Sequence, residues 1–423
     1  MSLHPSRARQ QAVIQPGSCR HARWARTPAV LQHLGGRSLT VAVRPRLTAL
    51  SVSRKAALIV LLHLSAGAQE PQTAKQYCIA EAGYRFEFPR DHFSHPCFRT
   101  EWWYFTGNLA TAAGRRFGYQ LTFFREAVDN PYPNPSRWRV DDLYLAHFAI
   151  TDITGEEFFY TQRISRAGVG LAGADATKGR IWNGPWSAEV RGDAWTLNAV
   201  DGENLIQLAL NSRKPPAIQG IDSISQKAEG EGNASHYYSL TRLDTSGEIW
   251  IAGERYPVSG WSWMDHEFST SQLQPEQVGW DWVSLQMDDG TEWMLFDLRR
   301  KDGARDAHSA GSFIDERGRV TPLSVSDFEM TPLAEWMSPL TGASYPTRWR
   351  VRVPGSGLDV EITAALPEQE LITKETTGVT YWEGSIEAKG SRNGKPVQGR
   401  GYLEMTGYAG PLPSGLYSVT SDK

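Results

Sequence analysis

Cysteine and long apolar runs are both scarce in this sequence, and each shortage excludes a class of protein. The 423 residues include three Cys, too few for a disulfide-built scaffold and without the spacing of a zinc-binding finger. A disulfide bond between Cys78 and Cys97 remains possible, because an oxidising compartment would permit it. No apolar stretch reaches the roughly 20 residues that cross a bilayer, so we expect a soluble mature protein.

Familiar catalytic motifs are also missing. The sequence has no phosphate-binding glycine loop, no His-Glu-x-x-His and no Gly-x-Ser-x-Gly nucleophile elbow. The segment Asp265-His266-Glu267 offers metal-ligand side chains, but neighbouring residues of a strand point to opposite faces, so His266 cannot join the two carboxylates in one site. The sequence therefore predicts neither a metal nor another cofactor.

Acidic residues are absent from the first 69 positions, which carry ten of the 44 basic side chains. The remainder has a net charge of -13, which argues against a nucleic-acid partner. Arg54 and Lys55 precede the apolar run AALIVLLHL and the site Ala66-Gly67-Ala68, the three parts of a secretory signal peptide. We therefore expect a signal peptide at residues 52–68, an untranslated or non-native extension at residues 1–51, and a periplasmic or secreted protein. A mitochondrial transit peptide is the alternative.

Short aromatic and β-branched segments dominate the rest of the chain. Runs such as RFEFP, YQLTFFR, LYLAHFAIT and HYYSLTRL alternate in polarity and are separated by Gly, Asp, Asn and Pro, the pattern of strands joined by turns. No long period of 3.6 residues, which would indicate an amphipathic helix, accompanies them. The sequence therefore predicts an all-β protein with little helix.

A repeat at long period indicates two domains. YPVSGWSWMD, residues 256–265, and KPVQGRGYLE, residues 395–404, both read Pro-Val-x-Gly-x-x-aromatic-aliphatic-acid, and the opening EWWYF is echoed by GWDWV. A unit this long is a duplicated domain rather than a solenoid repeat, so we expect two antiparallel β-barrels, at residues 69–268 and 269–418. Barrels of this size can hold one apolar ligand, and two facing mouths would form a deep site at their junction.

Carboxylates set among aromatic residues are the remaining candidates for chemistry. They are Glu101, Asp265, Asp281, Asp297 and Glu383. An apolar pocket raises the pKa of a carboxyl, which can then act as a general acid at neutral pH, and an indole face can stabilise a nearby cation. The set suits acid-catalysed addition to a C=C double bond. Salt bridges with arginines such as Arg99, Arg125 or Arg299 are the alternative interpretation of each carboxylate.

The Trp-rich motifs HPCFRTEWWYFTGNL, GWSWMDHEF, WDWVSLQMDDGTEWMLFDLR and YWEGSI resemble those of the AttH-type, carotenoid 1,2-hydratase superfamily, whose members are often labelled secreted hydrolases. The resemblance covers residues 84–408. It implies two consecutive lipocalin-like (calycin) barrels and a ligand site where they meet. Because members of this superfamily differ in reaction, the resemblance implies the fold more firmly than the activity.

The same resemblance implies roles for individual residues. Asp297 matches the proposed acid of the carotenoid hydratases and His266 a histidine ahead of it, so both are predicted to be catalytic. Phe268 keeps a ring that the pattern expects two positions after this His, whereas Leu295 replaces the ring expected two positions before the Asp. The predicted substrate-binding residues are Glu101, Trp102, Trp103, Tyr104, Trp263, Asp265, Phe268, Trp282, Leu295, Tyr381 and Trp382.

Three functions fit these observations. The first is an exported two-barrel protein that binds an apolar isoprenoid, lipid-like or phenolic molecule and hydrates its C=C bond. The second is a non-enzymatic periplasmic carrier that works beside an ABC-type exporter. The third, a secreted hydrolase, rests on the superfamily's label alone. The sequence predicts neither the identity of the ligand nor the oligomeric state.

Overall fold

The computed structural model describes residues 75–129, 134–271 and 273–412. The predicted signal peptide at residues 52–68 and the proposed extension at residues 1–51 lie outside these ranges. Within the ranges, no helix combines the length and the hydropathy that a membrane crossing requires.

β-strands are the main regular structure of the described residues. Three-residue 3-10 helices lie at Arg90–His92, Gly168–Gly170 and Pro354–Ser356. The strands form two curled antiparallel sheets, one a nearly closed barrel and the other a half-barrel, consistent with two lipocalin-like barrels. The predicted all-β fold with little helix is therefore confirmed.

The first sheet contains thirteen strands. They are β1 Thr100–Ala110, β2 Arg116–Ala127, β3 Asp142–Asp152, β4 Glu157–Arg166, β5 Ala172–Asp175, β6 Arg180–Asn183, β7 Trp186–Arg191, β8 Ala194–Asp201, β9 Asn204–Ser212, β10 Ala217–Ile218, β11 Ser225–Gln226, β12 Ala234–Ile251 and β13 Glu254–Ser269. The order across the sheet is β4-β3-β2-β1-β13-β12-β9-β8-β7-β6-β5, with β10 and β11 paired to β12.

The second sheet contains ten strands. They are β14 Gln277–Met287, β15 Glu292–Arg300, β16 Ala310–Ile314, β17 Val320–Ser324, β18 Glu329–Met337, β19 Ser344–Val353, β20 Leu358–Ala364, β21 Glu370–Ile372, β22 Thr380–Arg392 and β23 Lys395–Thr406. Their order is β17-β16-β15-β14-β23-β22-β20-β19-β18, with β21 paired to β22.

The two sheets share one connectivity. In each, a meander of the first four strands is followed by the last two strands of the sheet, β13-β12 in the first and β23-β22 in the second, and then by the strands in between. This agreement is what the long-period sequence repeat predicts. The first sheet ends at Ser269 and the second begins at Gln277, so the predicted domain boundary at residues 268 and 269 lies in the last residues of β13.

Alternation along β1 and β13 explains why these strands are apolar on both faces. Successive side chains of a strand point to opposite sides. Trp103, Phe105 and Met264 pack inside the first barrel, whereas Tyr104 and Trp263 pack against the second sheet. The EWWYF segment therefore supplies two layers of rings, one for each face of the strand.

The two cysteines of the described chain lie beside each other near the start of the first domain. The amide of Cys78 donates a hydrogen bond to the carbonyl of Cys97 at 2.8 Å. Both side chains are exposed and are free thiols in this structure.

Candidate functional site

A cavity of about 160 Å³ lies between the two sheets. Its wall combines aromatic rings from both domains with carboxyl, hydroxyl, amide, imidazole and ammonium groups. The lining residues that matter for its chemistry are Trp102, Tyr104, Phe124, His147, Lys227, Tyr237, Asp265, Glu267, Trp280, Trp282, Phe296, Tyr381 and Glu404.

Strand alternation sorts the predicted substrate-binding residues into two groups. Trp102, Tyr104, Asp265, Trp282 and Tyr381 line the cavity. Trp263 lies directly behind the wall, where its indole Nε1 donates a hydrogen bond to the Asp265 carboxyl at 2.7 Å.

Asp265 is buried in this wall and receives three hydrogen bonds. Tyr237, Ser239 and Trp263 donate to its two oxygens at 2.6, 2.6 and 2.7 Å. Burial raises the pKa of Asp265 to about 7, although the three donors pull in the opposite direction by stabilising the ionised form. At neutral pH the carboxyl is therefore poised between its two protonation states.

Glu404 also lines the cavity, and its carboxyl has fewer hydrogen-bond partners than that of Asp265. The indole of Trp280 donates to it at 3.2 Å. Burial raises the pKa of Glu404 to about 8, and the charge of Asp265 adds to the shift. Behind it, Glu383 accepts a hydrogen bond from the Tyr104 hydroxyl at 2.6 Å, and burial together with the charge of Glu404 raises the pKa of Glu383 well above its usual value.

Two of the three carboxyls that line the cavity, those of Asp265 and Glu404, occupy equivalent positions in the sequence repeat. Asp265 closes the motif of residues 256–265 on β13, and Glu404 closes the motif of residues 395–404 on β23. Tyr237 of β12 and Tyr381 of β22 also line the cavity, each from the strand beside its carboxyl. Each domain therefore contributes a carboxyl and a phenol from equivalent strand positions to the same site, and the first domain adds Glu267 and Tyr104.

Polar groups at the cavity wall form two further pairs. His147 approaches the Tyr381 hydroxyl through Nδ1 at 2.7 Å and the Thr376 hydroxyl through Nε2 at 2.8 Å. Burial lowers the pKa of His147 to about 3, so the imidazole is neutral at physiological pH. The Lys227 ammonium lies 3.2 Å from the Glu267 carboxylate and 4.1 Å from the centre of the Phe296 ring.

A family model described as AttH-like matches residues 79–408, most of the chain. The chain belongs to the AttH-like family. Among solved structures, an AttH protein of Nitrosomonas europaea is 33% identical, with a TM-score of 0.71 over 78% of this chain and 99% of its own. Kievitone hydratase of Nectria haematococca is 16% identical, with a TM-score of 0.59 over 81% and 98% of the two chains, which shows a shared fold. No curated protein matches the chain significantly.

Asp297, matched to the acid of the carotenoid hydratases, is not among the cavity-lining residues in this AttH-like chain. Its neighbours on β15, Phe296 and Leu298, line the cavity, so Asp297 points to the other face of the sheet. There the Arg305 guanidinium lies 2.7 Å from its carboxylate and the Ser309 hydroxyl donates to it at 3.0 Å. These contacts match the salt-bridge alternative.

His266 lies inside the first barrel, on the face of β13 that points away from the cavity. Its Nε2 approaches Glu101 at 3.0 Å, and its ring stacks on Trp103 with centroids 4.8 Å apart. Glu101 in turn accepts a hydrogen bond from the fully buried Arg125 at 2.9 Å. The geometry therefore does not bring His266 and Asp297 together at one site.

The remaining predicted binding residues fill the two cores. Trp103 packs in the first barrel, and Phe268 in a small cluster beneath the N-terminal segment. Leu295 and Trp382 pack inside the half-barrel. Leu295 is therefore a core residue, and the ring it replaces would not line the cavity between the sheets.

Proposed function

We propose that the cavity between the sheets binds the alkene end of a small apolar molecule and adds water to its C=C bond. One observation carries this proposal: Asp265 and Glu404, whose pKa values are raised to about 7 and about 8, line the same aromatic cavity. General acid and base groups work best when their pKa values lie near the operating pH.

Glu404 suits the role of acid because it is protonated at neutral pH and has a single hydrogen-bond donor. In the proposed reaction its carboxyl proton passes to one alkene carbon, which leaves a carbocation on the other carbon. The rings of Trp102, Trp280 and Trp282 line the cavity and can face this cation, since an indole face attracts positive charge. Glu404 becomes a carboxylate in this step.

Asp265 suits the role of base because Tyr237, Ser239 and Trp263 all stabilise its ionised form. A water molecule bonds to the carbocation through its oxygen, and the Asp265 carboxylate takes the released proton. The product is an alcohol, and proton exchange between the two carboxyls and solvent restores the starting state. In this pair, the different surroundings of the two carboxyls assign one the role of acid and the other the role of base.

The size of the cavity limits the ligand. Cavities of roughly 150 Å³ accept a benzene-sized molecule, so the 160 Å³ here suits one isoprenoid unit or one ring. A longer ligand would place only its end between the sheets. The shared fold with kievitone hydratase is compatible with hydration but does not carry the argument, because the identity is 16%.

A carrier without catalysis is the second candidate, and the pairing of Asp297 with Arg305 favours it over hydration by Asp297. The same aromatic cavity would hold the ligand without changing it. Export by the predicted signal peptide and cooperation with an ABC-type transport system belong to this candidate as well; the first rests on the sequence, and the second on the resemblance to the superfamily.

Hydration can be tested with a short isoprenoid alcohol such as geraniol in ¹⁸O-labelled water. The full chain should form an alcohol that carries the label, and Glu404→Gln should reduce the rate about 10²–10⁴-fold. Quenching of tryptophan fluorescence by the same compound should persist in this variant, because its rings are unchanged.

Asp297→Asn is the matched control, because Asp297 lies off the cavity. The Asp297→Asn variant should hydrate the substrate at the rate of the unmodified protein. Loss of hydration in Asp297→Asn with activity retained in Glu404→Gln would return the acid role to Asp297. Binding without labelled product in the unmodified protein would identify a carrier for this class of molecule.

A further inference from the structure

A second cluster of chemically competent side chains lies inside the first barrel, on the opposite face of β1 and β13 from the cavity. His95, Glu101 and His266 place one ligand atom each within 4.8 Å of one another. The separations are 2.6 Å between His95 Nδ1 and Glu101 Oε1 and 3.0 Å between His266 Nε2 and the same oxygen. Two imidazole nitrogens therefore converge on a single carboxylate oxygen.

The outer nitrogens of both rings already have acceptors, and both acceptors belong to Asp91. His266 Nδ1 lies 2.9 Å from the Asp91 carbonyl oxygen, which can only accept. His95 Nε2 lies 3.3 Å from Asp91 Oδ1, a carboxylate that the Arg90 guanidinium holds ionised at 2.6 and 3.0 Å. In each ring, a proton on the nitrogen that faces Asp91 would satisfy that acceptor.

With those protons assigned, neutral rings would point two lone pairs at Glu101. That carboxylate is itself ionised, because Arg125 Nε donates to its other oxygen at 2.9 Å. A lone pair that faces a carboxylate is repelled by it, so each inner nitrogen needs either a proton or a bound cation between itself and Glu101. Two further protons, one on each inner nitrogen, would meet this need and would give two imidazolium rings.

One divalent cation meets the same requirement with a single ion. We propose that His95 Nδ1, Glu101 Oε1 and His266 Nε2 bind a divalent transition metal of the zinc class inside the first barrel. Two imidazoles and one carboxylate form a ligand set that zinc accepts, with a fourth position for water or another donor.

The surroundings match those of a metal centre. Ligating histidines usually donate their outer N–H to a carboxylate or a backbone carbonyl, which orients the ring. Asp91 provides one acceptor of each kind. The rings are also held by stacking, His95 on Phe268 at 3.6 Å and His266 on Trp103 at 4.8 Å between centroids.

The topology gives the metal a structural consequence. His95 belongs to the segment before β1, whereas Glu101 lies on β1 and His266 on β13. A shared ion would tie the segment around the Arg90–His92 helix to two central strands of the barrel. This site is separate from the cavity between the sheets, so it stands or falls independently of the proposed hydration.

The test is the metal content of the full chain, produced without a polyhistidine tag in zinc-supplemented medium and purified without chelator. Elemental analysis should find about one zinc per chain, the stoichiometry of one ligand set. Replacement by Co²⁺ should give the visible absorption of a four-coordinate ion. Removal by a chelator should lower Tm, and added Zn²⁺ should restore it.

Variants separate this site from adventitious binding. His95→Gln should lose the metal, and Asp91→Asn, which keeps all three ligands, should weaken zinc binding about 10–100-fold. His236→Gln is the matched control, because His236 also packs against Phe268 but is not one of the three ligands. The proposal would be overturned if the protein is isolated without metal and its Tm does not change with added Zn²⁺, even after refolding in its presence. Full metal content in His95→Gln would also overturn it.

Discussion

The raised pKa of Glu404 makes the stability of the protein depend on pH in a way that Glu404→Gln should remove. Below pH 4.5, the ordinary pKa of the group, the carboxyl is protonated in both the folded and the unfolded chain. Between pH 4.5 and about 8 the unfolded chain releases this proton while the folded protein keeps it. The unfolded state thus gains stability relative to the folded state as the pH rises through this window.

The magnitude follows from the size of the shift. A rise from 4.5 to about 8, at about 1.4 kcal/mol per pKa unit, corresponds to a loss on the order of 5 kcal/mol from the free energy of unfolding above pH 8. Gln has nearly the same shape, can accept the hydrogen bond from Trp280, and cannot ionise. The variant should therefore be close to the unmodified protein at pH 4 and more stable than it at pH 9.

Urea unfolding of both proteins at several pH values from 4 to 9 measures this difference. The gap should open between pH 4.5 and 8 and then stay constant. Glu375→Gln, which changes an exposed side chain of the same type, should show a gap that does not vary with pH. A flat gap for Glu404→Gln across the whole range would show that Glu404 ionises as it does in water, and would remove it as the proposed acid.

The proposed hydration should have a narrow optimum between about pH 7 and 8, because it needs Asp265 ionised and Glu404 protonated. The two apparent pKa values that limit this optimum describe the coupled pair rather than either residue alone. A rate–pH profile that is flat from pH 6 to 9 would contradict the assignment. Arg125→Met should reduce the free energy of unfolding by roughly 3–5 kcal/mol, because it leaves the buried Glu101 carboxylate without its cationic partner. Arg350→Met breaks an exposed pair with Asp359 and should reduce the free energy of unfolding by less than about 1 kcal/mol. Gly401→Ala should cost roughly 1–3 kcal/mol or more, because its Cβ would lie 1.7 Å from the Ser284 carbonyl oxygen; Gly355→Ala, which meets open space, is the control for the same urea titration.

The sequence predicted the fold because its signals are local. Polarity alternating every two residues, turns rich in Gly and Asn, and the repeated Pro-Val-x-Gly motif are all visible without knowing which strands meet. The same alternation separates Trp102 and Tyr104 from Glu101 and Trp103, so the two-sided character of β1 could also have been read from the sequence. Assigning Glu101, Trp102, Trp103 and Tyr104 together to the binding site missed this division.

Other parts of the site depend on long-range contacts that no local pattern reports. His147 and Lys227 reach the cavity from β3 and from the segment before β12, without a motif around either. The partner of Asp297 is Arg305, which lies beyond the end of β15, so the sequence could not separate an ion pair from a free acid. Glu404 is different, because the repeat aligns it with Asp265 and could have identified it.

Duplication also explains how one cavity obtains two unlike carboxyls. When two copies of a domain pack face to face, each presents the same strand position, and here those positions are Asp265 on β13 and Glu404 on β23. Identical environments would leave only the difference between the ordinary pKa values of Asp, 3.8, and Glu, 4.5. The copies have diverged in their donors: Asp265 has three and Glu404 has one. Because each donor stabilises the ionised form, this difference adds to the ordinary difference between Asp and Glu, and together they place the proton preferentially on Glu404 and the charge on Asp265.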